Sequence, residues 1–298
     1  SEMCIRDSSV TGPFTQGFVD EWHHTRMGEY TYACSDFKFK KGLVSATKTS
    51  GHTLQIADGL WLDKKFKAAM MKSIAQSELD RKRFVYSDIG FILLQQVVEA
   101  VTGKTLDAYL VSEFYRPMGL EHTLFQPLNR YKKADIMPTA ANDYLRRQDL
   151  CGYVYDEAAA FMGGVSGNAG LFSTAQELGK IYQMILNEGE LDGKRYLRPE
   201  TCRIFTTEKS AVSHRGLGYD KPNLKDPKAN ACASSAPASV YGHTGFTGTC
   251  TWVDPENDLV YIFLSNRLCP DAWNGKLNSM KLRQAIQEVI YQSLYTPE

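Results

Sequence analysis

The sequence predicts an α+β fold, an antiparallel sheet flanked by helices with a helical subdomain, rather than a doubly wound parallel sheet. Three observations carry this. Helical stretches come first, two β-branched and aromatic runs joined by a short turn follow, and an amphipathic helix closes the chain. With 298 residues, 43% of them hydrophobic and 23% charged, the chain is long enough to bury a full core.

The elements follow in order. From Gly12 to Lys65 the sequence is rich in Gly, Thr, Lys and aromatics without a sustained period, which predicts an irregular region dominated by loops. Ile89 to Val101 (IGFILLQQVVEAV) is apolar almost all round and stops at Gly103, the pattern of a buried helix with a glycine C-cap. Ser87 and Asp88 stand where its N-cap belongs. A second helical stretch runs from Leu106 to Tyr115 and is stopped by Pro117 and Gly119. Thr174 with Glu177 forms a capping box that opens a helix through Leu186, ending near Gly189. Thr249 to Asp254 and Leu259 to Ser265, joined through Pro255, Asn257 and Asp258, read as an antiparallel hairpin. Met280 to Leu294 has the spacing of a helix packing one apolar face.

Charge and composition narrow the function. Thirty-four basic residues against 34 acidic ones leave no long-range field for nucleic acid or anionic lipid. Apolar runs such as Leu259 to Leu264 fall far short of the roughly 20 residues that span a bilayer. Seven cysteines (Cys4, Cys34, Cys151, Cys202, Cys232, Cys250, Cys269) form no CxxC pair and have no histidine at ligand spacing, so a zinc site is not expected, and most should be buried free thiols. His23, His24, His52, His122 and His214 are isolated. Residues 1–9, SEMCIRDSS, lack an initiator methionine, an apolar signal region and any periodicity. They read as a non-native segment ahead of one domain over 10–298, with the native protein continuing upstream.

The most specific tract is Tyr241 to Arg267, YGHTGFTGTCTWVDPENDLVYIFLSNR, in which His243-Thr244-Gly245 leads into the predicted hairpin. A glycine on a strand lets a substrate backbone lie close, and a cation or donor and a hydroxyl just before it can grip a carboxylate or carbonyl. A glycine-rich turn beside a core strand has the same pattern. Two other tracts stand beside it: Tyr86-Ser87-Asp88 before the apolar helix, and Phe161 to Leu178, FMGGVSGNAGLFSTAQEL, which runs into the capped one.

Together the three tracts resemble, in order and spacing, the active-site motifs of the serine β-lactamase and penicillin-binding-protein family, with His243-Thr244-Gly245 in the HTG form of its KTG motif. The similarity runs from about Tyr86 to the end and is nearest to serine-hydrolase domains fused behind glycoside hydrolase family 3 domains in bacterial cell-surface proteins. The resemblance implies a transpeptidase-like fold and a serine hydrolase, an esterase or peptidase, acting through an acyl-enzyme on ester or amide bonds, those of cell-wall material among them, with no metal and no cofactor. It also implies a periplasmic or surface location and a possible glycoside hydrolase fused upstream. By it, Tyr86 relays a proton to the leaving group, Thr244 and Gly245 contact the substrate, and the backbone N–H of Phe246 is one arm of an oxyanion hole.

Two positions depart from the family pattern. Asp88 stands where asparagine is usual, either as an acid in the site or as a helix cap. His243 stands where lysine is usual, and an imidazole only partly protonated near neutral pH grips a carboxylate less firmly, which favours an esterase or peptidase over a β-lactamase. The nucleophile should open a helix in a Ser-x-x-Lys motif, where i and i+3 share a face. Ser45-Ala46-Thr47-Lys48 has the residues, but Gly51 and Gly59 follow where a long buried helix is needed. The expectation is therefore that the nucleophile helix and the early strands lie upstream, and that this copy has little or no activity. Gly164-Val165-Ser166-Gly167 misses G-x-S-x-G because residue 168 is asparagine. The rival reading is a non-catalytic module that keeps the groove to hold glycan or peptide.

Overall fold

The computed structural model describes residues 19–21, 24–26, 32–34, 38–76, 86–271 and 274–295. The expected non-native segment 1–9 lies outside them. The chain divides into two compact units. The first comprises the described residues of Ser1–Ser112, Leu124–Phe172 and Leu268–Ala272, and the second those of Glu113–Thr123, Ser173–Arg267 and Trp273–Glu298.

The first unit corrects the expectation of an irregular stretch over Gly12–Lys65. Strands β1 (Val19–Glu21) and β4 (Lys38–Phe39) pair antiparallel, as do β2 (His24–Arg26) and β3 (Tyr32–Cys34). Strands β5 (Val44–Ser45), β6 (His52–Ala57) and β7 (Leu60–Asp63) form an antiparallel sheet in the order β5-β7-β6. The missed signal is the two-residue turn Asp58-Gly59, with Gly59 at φ +60°, which ties β6 to β7 as a tight hairpin. Helix α1 (Phe66–Gln76) follows and buries Phe66, Met70 and Ile74 at the expected one-face spacing. They join Ile56, Leu62 and Phe161 in one core, where the rings of Phe66 and Phe161 sit 5.3 Å apart.

Helix α2 (Ile89–Thr102) ends at Gly103 in the left-handed conformation, as the sequence predicts. Its burial does not follow the sequence. Only Ile92 and Gln95 are fully buried, while Phe91, Leu93, Leu94, Val97 and Val101 are 41–80% exposed. The reason is that one side alone meets the core, and the buried position opposite solvent is an amide with work to do. Gln95 donates to the Val165 carbonyl at 3.2 Å and accepts from the Gly167 N–H at 3.2 Å. A Cβ on Gly167 would stand 2.1 Å from the Phe91 carbonyl oxygen, so only glycine lets this loop lie on α2. Helix α3 (Leu106–Leu110) continues into a π-helical turn, Val111–Tyr115.

Strands β8 (Pro138–Asp143) and β9 (Gln148–Cys151) pair antiparallel ahead of α4 (Glu157–Phe161). In their connection Arg146 and Asp143 form a fully buried two-pronged pair, Nε to Oδ1 at 2.8 Å and Nη2 to Oδ2 at 2.8 Å. Arg146 also donates to the carbonyls of Val154 at 3.1 Å and Tyr155 at 2.6 Å. The pair thereby fastens the chain entering α4. Asp156 caps that helix by accepting from Ala159 N–H at 2.7 Å, and it accepts from Asn168 Nδ2 at 3.0 Å.

In the second unit, α5 (Ala175–Leu186) has Thr174 as its N-cap, accepting from Glu177 N–H at 3.3 Å. The box closes differently from the sequence pattern: the Glu177 carboxylate takes the N–H groups of Glu121 and His122 and the hydroxyl of Thr123, at 2.6–3.0 Å. After β10 (Glu190–Leu191), β11 (Lys194–Arg195) and α6 (Pro199–Thr207), strands β12 (Tyr241–Thr244), β13 (Cys250–Asp254) and β14 (Leu259–Phe263) form an antiparallel sheet in that order. The predicted hairpin is β13 and β14. Helices α7 (Lys276–Ser279) and α8 (Leu282–Tyr295) close the chain. Trp252 and Tyr261 of the sheet pack with Val240 and with Ile286, Ile290 and Tyr291 of α8. Among the described residues five cysteines carry free thiols, and Cys202, Cys232 and Cys250 are buried.

Replacing Arg146 by methionine leaves Asp143 buried without its partner and should lower unfolding free energy by about 3–5 kcal/mol. Urea unfolding of the variant against the wild type measures it.

Candidate active site

The best-defined constellation lies on β12 of the second unit. Gly242 exchanges two backbone hydrogen bonds with Asp220, at 2.7 and 3.1 Å, so the segment around Asp220 runs along one edge of the strand. A Cβ on Gly242 would stand 2.0 Å from the Thr251 carbonyl oxygen. By the two-residue period of a strand, the Thr244 N–H faces the same edge as that of Gly242. It makes no hydrogen bond among the described residues.

His243 is held from both sides. Its Nδ1 lies 2.7 Å from the Thr244 carbonyl oxygen and its Nε2 lies 3.0 Å from Arg215 Nη1. A carbonyl only accepts and a guanidinium only donates, so Nδ1 carries the proton and Nε2 is the acceptor. The ring is the neutral tautomer. Burial pushes its pKa below the ordinary imidazole value, the Arg215 charge adds to this, and the Thr244 carbonyl and Asp220 oppose it. The positive charge at this strand is therefore that of Arg215, which also faces Asp220 Oδ2 at 3.5 Å and keeps 23% of its side chain exposed. His214 Nε2 lies 2.9 Å from Asp220 Oδ1. The sequence reading missed Arg215 because it stands 28 positions before the histidine it touches, with no motif to mark it.

The turn after β12 is tied inward. Gly245 N–H donates to the Thr249 carbonyl at 2.7 Å, Arg267 Nε to the Phe246 carbonyl at 2.7 Å, and Arg283 Nη1 to the carbonyls of Gly245 and Thr249 at 3.3 and 3.0 Å. The Arg267 guanidinium stacks 4.2 Å from the Phe246 ring centroid. A Cβ on Gly245 would stand 2.2 Å from Thr249 Oγ1, so the turn's own closure requires glycine there.

Tyr86 and Asp88 belong to the first unit, half-buried at the entry to α2. Asp88 occupies the N-cap position at φ −75°, ψ −22° and makes no capping hydrogen bond with its side chain. Ser87 Oγ accepts from Ile89 N–H at 3.3 Å instead. The glycine-rich segment expected between the motifs is in the same unit, held to α2 by Gln95. Beneath it, burial raises the Glu157 carboxyl to about 7, the Asp156 charge adding to this against the Tyr144 hydroxyl and Arg146. Ser45 lies in strand β5, paired opposite Trp61, and accepts from Thr47 N–H at 3.3 Å. Lys48 Nζ lies 5.6 Å from the Trp61 ring centroid. Ser45 and Lys48 are thus not one turn apart on a helix face. The sequence also holds Ser35-Asp36-Phe37-Lys38, a Ser-x-x-Lys whose first three residues lie outside the described ones.

Other histidines do local work: His52 bonds Thr49 and the Gly42 carbonyl, and His122 bonds Glu177. Among the described residues no group of three or more His, Cys, Asp or Glu could hold a metal ion, and no helix is long and apolar enough to cross a membrane.

Helices with antiparallel sheets are the architecture of a β-lactamase-type domain. Residues 46–278 match the family described as Beta-lactamase, and the chain belongs to that family. A protein of Escherichia coli K12 named "Putative D-alanyl-D-alanine carboxypeptidase" is 34% identical over 280 residues, covering 90% of this chain and 64% of the relative. Its counterpart in Escherichia coli O157:H7 is 32% identical with the same coverage. The chain thus spans just under two thirds of the length of these relatives. In fold it is similar to EstCE1, a hydrolase with promiscuous acyltransferase activity, at TM-score 0.51 and 18% identity, covering 76% of this chain and 62% of that one. It is also similar to the D-amino acid amidase of Ochrobactrum anthropi SV3, at TM-score 0.50 and 13% identity, covering 76% and 64%.

Replacing Arg215 by glutamine should raise the His243 pKa, read by NMR titration of the ring. The lowered folded value means that stability is full above about 6.5 and is lost as pH falls from there towards the folded pKa, because the unfolded chain takes up the proton first. The variant should lose less stability over that window.

Proposed function

We propose that this chain serves a serine hydrolase that cleaves an amide or ester bond through an acyl-enzyme, on a cell-wall peptide ending in a free carboxylate, and therefore outside the cytoplasm. The observation that carries this is the Arg215 guanidinium, held by His243 and Asp220 beside β12. A planar two-pronged donor suits a carboxylate, and the Thr244 N–H, which faces the same side of β12 as that of Gly242, adds a donor. The names of the curated relatives agree with such a substrate. In this reading the lysine of the family pattern is divided between two residues: His243 orients and Arg215 supplies the charge.

The remaining roles follow the family resemblance. Tyr86 relays the proton to the leaving group, Asp88, unused as a side-chain cap, holds the charge of the catalytic lysine, and the N–H of Phe246 serves as one oxyanion donor. The strand position of Ser45 argues against it as nucleophile, and we place the nucleophile outside the described residues. That same position favours a second reading, in which this chain alone binds its peptide without cleaving it.

Two measurements on the chain test the proposal. Binding of N-acetyl-D-alanyl-D-alanine should weaken about tenfold or more on Arg215→Gln, the scale of a hydrogen bond to a charged group. Unchanged binding contradicts the carboxylate grip. A labelled penicillin or fluorophosphonate should leave Ser45 unmodified by mass spectrometry, and an adduct on Ser45 overturns the assignment of the nucleophile.

A further inference from the structure

The first unit contains a cavity of about 200 Å³ that plays no part in the chemistry above. It is lined among others by three aromatic residues, Trp61, Tyr153 and Phe172, by Gln55 and Asn129, and by Lys48, whose Nζ lies 5.6 Å from the Trp61 ring centroid. A 150 Å³ cavity holds one benzene, so this one accepts a single substituted six-membered ring. Its shape depends on glycine: Gly152 at φ +77° would, with a Cβ, press to 2.6 Å from Leu128 Cγ.

The polar groups show what kind of ring. Gln126, also in the wall, has both amide ends engaged, donating to the Gly163 carbonyl and accepting from Asn129 Nδ2 at 3.0 Å. That bond fixes Asn129 and leaves its Oδ1 without a partner among the described residues. Gln55 donates to the Ala57 carbonyl at 3.3 Å, and its Oε1 is likewise open. Tyr153 donates its hydroxyl to Asp58 at 2.8 Å and keeps acceptor capacity. Lys48 forms no ion pair among the described residues, and no carboxylate lines the cavity. A purely apolar ligand leaves the amides unsatisfied, and a small anion leaves three aromatic rings unused. A pyranose meets both demands, its C–H face on a ring and its hydroxyls on the amide oxygens, and a carboxylate on it meets Lys48.

We propose that this pocket binds one pyranose unit bearing a carboxylate, the chemistry shared by muramic and uronic acids. The site stands independently of the hydrolase reading, since none of Tyr86, Asp88, Arg215 or His243 lines it.

NMR titration of the Trp61 indole N–H with N-acetylmuramic acid against N-acetylglucosamine, and with glucuronic acid against glucose, tests it. The expected result is that the acid of at least one pair binds about fivefold more tightly than its neutral partner, the scale of an exposed ion pair. The pair with the tighter acid names the source. Lys48→Met should erase that preference while the neutral sugar still binds, which also shows the variant is folded. Trp61→Ala, with binding read by isothermal titration calorimetry and unfolding followed by circular dichroism, should abolish binding, and Gln55→Ala should weaken it without disturbing the core. No shift with any sugar, equal binding within both pairs, or a preference that survives Lys48→Met overturns the proposal.

Discussion

The site rests on the contact between the Arg215 guanidinium and Nε2 of His243. A guanidinium can only donate and a backbone carbonyl can only accept, so Arg215 on one side and Thr244 on the other leave the imidazole one protonation state. Everything at the strand edge follows from that restriction. The ring is a fixed spacer rather than a titrating cation, and the charge it would have carried lies on a group that stays protonated at any pH the fold survives. Asp220 completes the arrangement by bonding Gly242 through its backbone and facing Arg215 and His214 through its carboxylate. One residue thus sets both the edge of the sheet and the position of the cation.

The first unit solves a comparable problem with neutral and buried groups. The glycine-rich loop lies on α2 because Gly167 permits contact and because the buried Gln95 amide satisfies one donor and one acceptor of the loop at once. The Arg146–Asp143 pair then fastens the chain leading into α4, where Asp156 caps the helix and holds Asn168. Buried polar groups placed in this way define a single loop conformation, which apolar packing alone does less well.

Much of this was readable in the residues, for physical reasons that differ by element. The β13–β14 hairpin, the Gly103 stop and the Thr174 cap rest on local rules, pattern period and backbone conformation, and all three stand in the structure. The α+β fold followed from the order of helices, hairpin and closing helix, and the family from three tracts in order. The exposure of α2 was not legible, because an all-apolar helix does not say which of its sides has a neighbour. The β6–β7 hairpin was missed although Asp58-Gly59 marked it. Arg215 could not have been found from sequence alone: its importance comes from a contact with a histidine 28 positions away, and no motif around it marks that contact. The capping box of Glu177 shows the limit of motif reading, since its carboxylate serves a distant segment, Glu121 to Thr123, rather than its own helix start.

The neutral, Nδ1-protonated ring is what the account requires above all, and ¹⁵N NMR of His243 in the wild-type chain near neutral pH observes it directly. One nitrogen should resonate as protonated and the other as unprotonated, with the proton correlated to Nδ1. A doubly protonated ring, or a proton on Nε2, would mean that Arg215 does not donate to the imidazole, and the division of labour at this strand would not stand.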